Sequence, residues 1–385
     1  MEQAFIVEAF RTAGGRRGGK LAHWHPADLA AEILNALVGR TGVDPHAIED
    51  VIFGCVSQVG EQSWHIARNA VLASALPDSV PAVTIDRQCG SSQQALHFAA
   101  QAVASGTQDL VIAGGVESMT RVPIGSPTML ALKANLGGPW SERILRRYGV
   151  AEFSQFTGAQ RMADKYGLRR VELDEFAVES HLRAAAATRS GAFEREIVPI
   201  ALDAGHHRTD EGIRSDASLE SIGAVKLLKE GGTLTAANAS QICDGASAAL
   251  IVNERALKTH GLTPLARIHQ LAITAGDPVI MLEEPIPATR KALDRCGLSI
   301  DDIDLFEVNE AFAAVVLRFA QAFDLDMSRI NVNGGAIALG HPLGATGAMI
   351  LGTALDELER TGKSTALVTL CIGGGMGTAT IIERV

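Results

Sequence analysis

Ile48-Glu49-Asp50-Val51-Ile52-Phe53-Gly54 and Ile303-Asp304-Leu305-Phe306-Glu307-Val308-Asn309 are two similar β-rich stretches in opposite halves of this sequence. Each follows an amphipathic helix pattern, at residues 31–37 and 288–293, and a glycine-containing stop and an acidic turn separate helix from strand. The same order of helix, stop, turn and strand therefore occurs twice. It predicts two α/β halves related by duplication.

The correspondence continues along the chain. When the two halves are compared, Cys89 corresponds to a position next to the turn Gly340-His341-Pro342-Leu343-Gly344. A helix pattern rich in small residues follows in both halves, at 91–105 and at 344–360. Each helix leads to an apolar strand pattern. The first, at 109–115, ends in two glycines, and the second, at 365–371, is followed by glycines. A general likeness of all α/β chains is the alternative. Four matched elements in the same order favour duplication.

Composition excludes several classes of protein. The 385 residues carry a net charge of −10, whereas a nucleic-acid-binding domain is usually basic. Neither a secretory signal nor an apolar run long enough to span a membrane is recognisable. The five cysteines are odd in number and form no Cys-x-x-Cys pair, which disfavours a disulfide framework and a structural zinc site. We therefore expect a cytoplasmic protein with free thiols.

Cys89 lies in Asp86-Arg87-Gln88-Cys89-Gly90-Ser91-Ser92, directly after the short apolar strand predicted at residues 80–85. Backbone N–H groups and the positive end of the dipole at a helix start favour a thiolate over a thiol. We expect both effects to lower the pKa of Cys89 and to activate it as a nucleophile. A buried structural cysteine is the alternative.

Three further clusters carry chemically useful groups. His341 stands in a glycine-rich turn before Pro342 and is a candidate general base, with a hydrogen-bonded structural histidine as the alternative. Cys371 ends an apolar strand and is followed by Gly373, in a run that leaves a thiol and N–H groups at the edge of a sheet. Asn309 lies in Glu307-Val308-Asn309-Glu310-Ala311-Phe312-Ala313, at a strand-to-helix junction.

Together these four clusters resemble the thiolase signature, and the resemblance extends over essentially the whole chain. It implies that Cys89 is acylated, that His341 deprotonates it and that Cys371 moves the proton at the α-carbon of acetyl-CoA. It further implies that Asn309 holds a water that acts with His341 on the enolate oxygen of the thioester. A second oxyanion hole would comprise the N–H groups of Cys89 and Gly373.

The resemblance also implies a fold and partners. The fold class is α/β, with two duplicated βαβαβαββ halves in an α-β-α-β-α layered arrangement. Residues 1–118 plus 244–264 would form the N-terminal half, 119–243 a loop domain that caps the site, and 265–385 the C-terminal half. Coenzyme A (CoA) and acyl-CoA would be substrates rather than tightly bound cofactors, no metal would be needed, and a homodimer or homotetramer is expected. The residues implied for CoA are Arg214, Ser221, Ser240 and Phe312.

One segment departs from the family pattern. Many thiolases carry Met-Gly-x-Thr-Ala-Glu in the inserted segment, whereas this chain has Gln155-Phe156-Thr157-Gly158-Ala159-Gln160. The acyl preference is therefore open, and so is the direction of the reaction. Arg121-Val122-Pro123 is more similar to degradative 3-ketoacyl-CoA thiolases than to biosynthetic acetoacetyl-CoA enzymes.

Other functions are less consistent with the sequence. A 3-ketoacyl synthase would have a second histidine where this chain has Asn309-Glu310, and hydroxymethylglutaryl-CoA synthase is a further relative by fold. A catalytically silent subunit that only scaffolds a fatty-acid-oxidation complex would not need all four clusters.

Three other local patterns carry no function in this interpretation. Gly362-Lys363-Ser364 lacks the earlier glycine of a phosphate loop. His206-His207 is interpreted as a solvated turn, and Cys55, Cys243 and Cys296 as structural.

Overall fold

The computed structural model describes residues 2–385, which form helices and strands along the whole of this range. The first part of the chain comprises β1 (Phe5–Thr12), β2 (Gly15–Arg16), α1 (Pro26–Thr41), β3 (Asp50–Gly54), α2 (Ile66–Ala73), β4 (Ala82–Ile85), α3 (Ser91–Ala104) and β5 (Leu110–Ser118). The middle part comprises α4 (Ser126–Lys133), α5 (Glu142–Tyr148), α6 (Gln155–Tyr166), α7 (Arg170–Ser190), β6 (Ile197–Val198), β7 (Ile200–Ala201), β8 (His206–His207) and α8 (Leu219–Gly223).

The remainder begins with a long strand that returns to the first part. It comprises β9 (Cys243–Val252), α9 (Glu254–His260), β10 (Ala266–Ala275), α10 (Pro285–Cys296), β11 (Leu305–Val308), α11 (Ala313–Phe323), α12 (Ala336–Leu339), α13 (Thr346–Thr361), β12 (Thr365–Ile372) and β13 (Met376–Arg384). Within residues 2–385, no helix combines the length and the apolar character needed to cross a bilayer.

The main sheet contains the same strand pattern twice. Its order is β11-β12-β13-β10-β1-β9-β5-β3-β4, and the two halves meet where β1 and β10 pair antiparallel through Phe5 with Arg267 and Ile6 with Ala266. In the first half β3 and β5 are parallel, while β9 is antiparallel to both β5 and β1. In the second half β11, β12, β13 and β10 repeat these relations in order. The duplication predicted from the sequence is confirmed.

Five layers result from the way the helices cover this sheet. Helices α3 and α13 share one apolar core with strands of both halves, so they lie between the two. Helices α1 and α2 pack on the outer face of the first half, and α10 and α11 on the outer face of the second. The α-β-α-β-α arrangement expected from the sequence is therefore the fold of this chain.

The ends of the duplicated helices follow from the same residue types. Both α1 and α10 begin with proline, whose missing N–H would be unpaired in the first turn in any case. Both end before a glycine with positive φ, at Gly42 (66°) and Gly297 (71°). The predicted stops are therefore where the helices end.

Two details differ from the sequence predictions. Strand β4 begins at Ala82 rather than at residue 80, because the N–H of Val80 closes a turn onto Pro77 and Pro81 has no N–H to donate. His206-His207 is not a solvated turn: it forms β8, and the buried His207 ring contacts the carbonyl of Ala13 at 3.0 Å through Nε2.

Candidate active site

Cys89 lies in a tight corner between β4 and α3. Gln88, just before it, has a left-handed backbone with φ of 46°, and its N–H donates to the Asp86 carboxylate at 2.6 Å. The hydroxyl of Ser91 accepts a hydrogen bond from the N–H of Arg87 at 2.9 Å and donates one to the carbonyl of Gln88 at 2.6 Å. These bonds hold the corner so that the Cys89 side chain lies at the N-terminal end of α3.

The corner is in contact with the other half of the molecule. A Cβ on Gly90 would lie 2.5 Å from Cδ1 of Ile372, so a side chain here would separate α3 from the end of β12. The backbone N–H groups of Gly373 and of Cys89 itself both act to lower the pKa of the Cys89 thiol, so both lie beside the sulfur. Each half thus supplies one N–H group to the same point, the pair expected for an oxyanion hole.

Burial dominates the acidity of the Cys89 thiol. It raises the pKa to about 11, and the N–H groups of Gly373 and Cys89 reverse this only in part. The lowered pKa expected from the sequence is therefore wrong. The sequence indicates the helix start, but it does not indicate how completely the sulfur is removed from water. At neutral pH Cys89 is a thiol and needs a base.

Cys371 lies close to Cys89, near the end of β12, and is fully enclosed. Burial is the main cause that raises the pKa of the Cys371 thiol, and a negative charge on Cys89 raises this pKa further. Two neighbouring buried thiols disfavour simultaneous ionisation, so one can hold a proton while the other is a thiolate.

His341 lies in the turn between α12 and α13, with its ring buried. Its Nδ1 is 2.6 Å from the Thr346 hydroxyl, and that hydroxyl donates its proton to the carbonyl of Pro342 at 2.9 Å. The hydroxyl must therefore accept from Nδ1–H, which leaves Nε2 with a free lone pair. Burial lowers the pKa of His341 to about 4, so the ring is neutral at physiological pH and able to take a proton.

Asn309 faces the lone pair of His341. Its side-chain Nδ2 is 3.4 Å from Nε2 of His341, and its buried Oδ1 has no hydrogen-bond partner within residues 2–385. Glu310 fixes the surrounding loop, because its carboxylate accepts from Ser180 at 2.7 Å and from the N–H of Ile337 at 3.0 Å. The Oδ1 atom of Asn309 is therefore available to a polar atom of a substrate or to a water beside His341.

The residues implied for CoA fall into two groups. Ser240 and Phe312 adjoin the site: the N–H of Ser240 donates to the carbonyl of Ala311 at 3.0 Å, and Phe312 is buried. Arg214 and Ser221 are exposed on the middle part of the chain, where the Arg214 N–H donates to Nδ1 of His181 at 3.2 Å. The first pair lies at the site and the second pair on the surface.

A cavity of about 840 Å³ opens onto Cys89. Its wall near the sulfur includes Asp86, Gln88, Gly373 and Leu343, and Leu343 packs directly against Cys89. The wall on the other side comes from the middle part of the chain and from residues 276–281. Gln155, in the segment that departs from the family pattern, lines this cavity, and Phe156 contacts Phe312 edge to face at 5.6 Å.

Glu117 is a site residue that the sequence analysis missed. Its buried carboxylate accepts the N–H groups of Val56 at 2.9 Å, Ser57 at 3.0 Å and Gly344 at 3.0 Å. It thereby ties a cavity wall of the first half to the turn that carries His341. Burial raises the pKa of this carboxyl group, whereas the N–H donors lower it. A carboxylate at the end of an apolar strand was the available signal.

Comparisons with known proteins agree over the full chain. Residues 4–255 match the family model for the thiolase N-terminal domain, and residues 262–384 match that for the thiolase C-terminal domain. Steroid 3-ketoacyl-CoA thiolase FadA6 of Mycobacterium tuberculosis is 52% identical over 386 residues, covering 100% of this chain and 95% of that protein. The 3-ketoacyl-CoA thiolase of Aliivibrio salmonicida is 42% identical over 396 residues, covering 100% of both.

A solved structure of a named acetyl-CoA acetyltransferase has the same fold as this chain. The acetyl-CoA acetyltransferase of Bacillus anthracis superimposes with a TM-score of 0.91 at 36% identity, covering 100% of this chain and 99% of that one.

Proposed function

This chain belongs to the thiolase family of acyltransferases, and from that premise we propose that Cys89 carries the acyl group while CoA cleaves a 3-ketoacyl-CoA. The observation that carries the proposal is the position of Cys89 in the wall of the cavity, beside Gly373 of the other half of the molecule and close to a second thiol, Cys371. A buried structural cysteine has no need for such surroundings.

The first half-reaction begins with a thiol and a neutral base. His341 takes the Cys89 proton on Nε2, and the sulfur adds to the C3 carbonyl of the substrate. The N–H groups of Cys89 and Gly373 stabilise the oxyanion, and one such donor is typically worth about 2.7–4 kcal/mol. The C2–C3 bond then breaks, the electron pair forms the enolate of acetyl-CoA, and Cys371 protonates its carbon. Asn309 and His341 support the enolate oxygen.

The second half-reaction restores the enzyme. CoA gives its thiol proton to the Cys371 thiolate and attacks the acyl group on Cys89. The Cys89 sulfur leaves, takes back the proton from His341, and acyl-CoA is released. One 3-ketoacyl-CoA and one CoA thereby yield one acyl-CoA and one acetyl-CoA. The reverse sequence is the Claisen condensation.

We propose a degradative substrate with an acyl group larger than acetyl. The relatives at 52% and 42% identity are named 3-ketoacyl-CoA thiolases, the former for steroids. The cavity of about 840 Å³ is in the range of drug-sized ligands and exceeds what an acetyl group needs. These observations favour cleavage of longer or ring-bearing chains over acetoacetyl-CoA synthesis.

The remaining features of the proposal follow from the family. CoA would lie along Arg214, Ser221, Ser240 and Phe312 as a substrate, with no tightly bound cofactor and no metal. Residues 119–243 would act as the capping loop domain between the N-terminal half (1–118 plus 244–264) and the C-terminal half (265–385). We place the enzyme in the cytoplasm as a homodimer or homotetramer.

Acylation of Cys89 is testable by mass spectrometry of the intact protein after incubation with acyl-CoA. Cys89→Ala should show no acyl adduct, since Cys89 lines the cavity whereas the neighbouring thiol of Cys371 is fully enclosed and does not line it. Cys371→Ser is the matched control: it should acquire the adduct but turn over slowly, because a serine hydroxyl is a much weaker acid. An adduct that persists in Cys89→Ala would overturn the proposal.

The acyl preference needs a separate measurement. We expect kcat/KM for thiolysis to rise from acetoacetyl-CoA to longer, branched or ring-bearing 3-ketoacyl-CoA substrates. A maximum at acetoacetyl-CoA would favour the biosynthetic alternative instead.

A further inference from the structure

Helix α5 has two faces with different charge arrangements. On one face Glu142 and Arg146 form an ion pair at 3.0 Å. On the other, Arg143 and Arg147 both line the cavity that opens onto Cys89. They are four residues apart, so both guanidinium groups project from the same side of the helix. Within residues 2–385, neither has a carboxylate partner in an ion pair.

The cavity wall around these arginines is otherwise apolar. Ile144 and Tyr148 of the same helix line the cavity, and Trp140 and Tyr148 both contact Phe153 edge to face, at 5.7 and 5.6 Å. The Arg147 guanidinium lies over the Tyr148 ring at 5.3 Å. An apolar ligand body fits against the rings, and its polar end would meet two positive charges.

The acidic residue of this cavity forms no ion pair with the arginines within residues 2–385. Asp86, the cavity's acidic residue, lies near Cys89 and accepts hydrogen bonds from Gln88, and its pKa is shifted by burial and by Gln88 rather than by any arginine. The negative charge of Asp86 is therefore already hydrogen-bonded to Gln88. The positive charge on α5 remains available.

We propose that Arg143 and Arg147 form a subsite for a carboxylate at the far end of the acyl chain, so that the preferred substrate is an acidic 3-ketoacyl-CoA. This inference rests on the proposed thiolase reaction and adds the chemical class of its substrate. Guanidinium groups suit the subsite because each offers a planar fork of donors to a carboxylate.

The phosphates of CoA are the other anions that could reach these arginines. The cavity wall favours the acyl carboxylate, because none of Arg214, Ser221, Ser240 and Phe312, the residues expected along CoA, lines it. The arginines thus share this cavity with Cys89, whereas the residues expected along CoA do not line it.

The test compares two substrates of equal length on the full-length protein. One is a straight-chain 3-ketoacyl-CoA that ends in a carboxylate, and the other is its methyl ester, which is similar in shape but neutral. We expect the ratio of their kcat/KM values to favour the acid. In Arg143→Gln/Arg147→Gln this ratio should fall by about 10- to 100-fold, the loss expected for a hydrogen bond to a charged group.

Arg146→Gln is the matched control, since it removes a positive charge from the same helix at a position that does not line the cavity. It should leave the ratio unchanged, whereas added salt should lower the ratio in the wild-type protein. An equal loss on both substrates with a raised KM for CoA would assign the arginines to the CoA phosphates and overturn the inference. So would an unchanged ratio. Failure of the wild type to cleave either substrate would instead refute the proposed function.

Discussion

The hydroxyl of Thr346 determines which nitrogen of His341 can act as a base. It gives its own proton to the carbonyl of Pro342 and accepts the proton of Nδ1, so Nε2 must carry the lone pair that faces Asn309. The ring is buried and its pKa is about 4, so the neutral form is the resting form. The orientation of one hydroxyl thus sets the tautomer on which the proposed mechanism depends.

Thr346→Val should impair catalysis while retaining the shape of the side chain. Without the hydroxyl, Nδ1–H loses its acceptor and the other tautomer becomes accessible. We expect kcat/KM to fall by about 10- to 100-fold, the factor for an unsatisfied buried donor of about 1–3 kcal/mol. Steady-state thiolysis kinetics measure this.

Thr346→Ser is the control for that prediction, because it keeps the hydroxyl and removes only a methyl group. It should retain most of the activity. Similar losses in the valine and serine variants would mean that packing, and not the hydroxyl, supports His341.

At the residue scale, the sequence predicted which groups meet but not their acidity. Cys89, Cys371 and Gly373 come together, and Asn309 meets His341, because each motif lies at the end of a strand or the start of a helix in a duplicated sheet. The acidity depends on burial, which results from how the two halves close on each other. Glu117 was missed for the same reason: its partners lie in separate segments of the chain.

At the scale of elements, the close crossing of α3 and α13 governs the middle layer. Gly347, in the first turn of α13, lies against α3 so closely that a Cβ would be 2.4 Å from the backbone nitrogen of Gln93. Gln93 in turn donates to the carbonyl of Val368 at 2.9 Å. The two helices carry Cys89 at the start of one and His341 before the other, so their separation also sets the separation of these groups.

Gly347→Ala should therefore force α3 and α13 apart. We expect the free energy of unfolding to fall by about 1–3 kcal/mol, the usual cost of overpacking a core, together with a loss of activity. Urea denaturation measures the first effect and thiolysis the second.

Gly352→Ala in the same helix is the matched control. There a Cβ would lie 3.4 Å from Cβ of Ala9, an ordinary contact, and alanine is favoured over glycine in a helix by about 1 kcal/mol. This variant should be as stable as the wild type or more so. Equal destabilisation by both variants would contradict the role given to the crossing.

Most elements were predictable because their signals are local. The periodic apolar residues, prolines and glycines of α1 and α10 identify both helices and their ends. The start of β4 was not predictable to the residue, because it depends on a turn between Val80 and Pro77. The burial of His207 was not predictable either, because its ring contacts the carbonyl of Ala13, which is far away in the sequence.

At the scale of the whole molecule, charged residues from three regions meet at Asp356. This residue of α13 lies 3.8 Å from Arg195 of the middle part, which also reaches Glu8 of β1 at 3.5 Å. Burial raises the pKa of Asp356 to about 7, and the charge of Glu196 adds to this while Arg195 opposes it. The cluster holds more negative charge than Arg195 offsets.

This excess makes stability depend on pH. The folded protein keeps the Asp356 proton up to about pH 7, whereas the unfolded chain loses it near pH 3.8. The folded state therefore binds more protons between these values, and this group lowers stability as pH rises through that window. Asp356→Asn removes the effect. It should raise the free energy of unfolding by roughly 1–4 kcal/mol near pH 8, and by less near pH 5.

Urea denaturation at the two pH values tests this prediction. The signature is the difference between them, since a change in packing alone would shift both equally. A variant that is less stable than the wild type near pH 8 would show that Asp356 is needed as a charged partner of Arg195.

The meeting of Gly373 with Cys89 has a consequence for how such a gene could arise. Two copies of one ancestral unit, joined about a two-fold axis, would have presented the same corner and the same turn twice. Once fused into one polypeptide, the copies were free to diverge, one keeping the sulfur corner and the other the histidine turn. Neither copy expressed alone would then encode a catalyst, so selection must have acted on the pair as a single heritable unit.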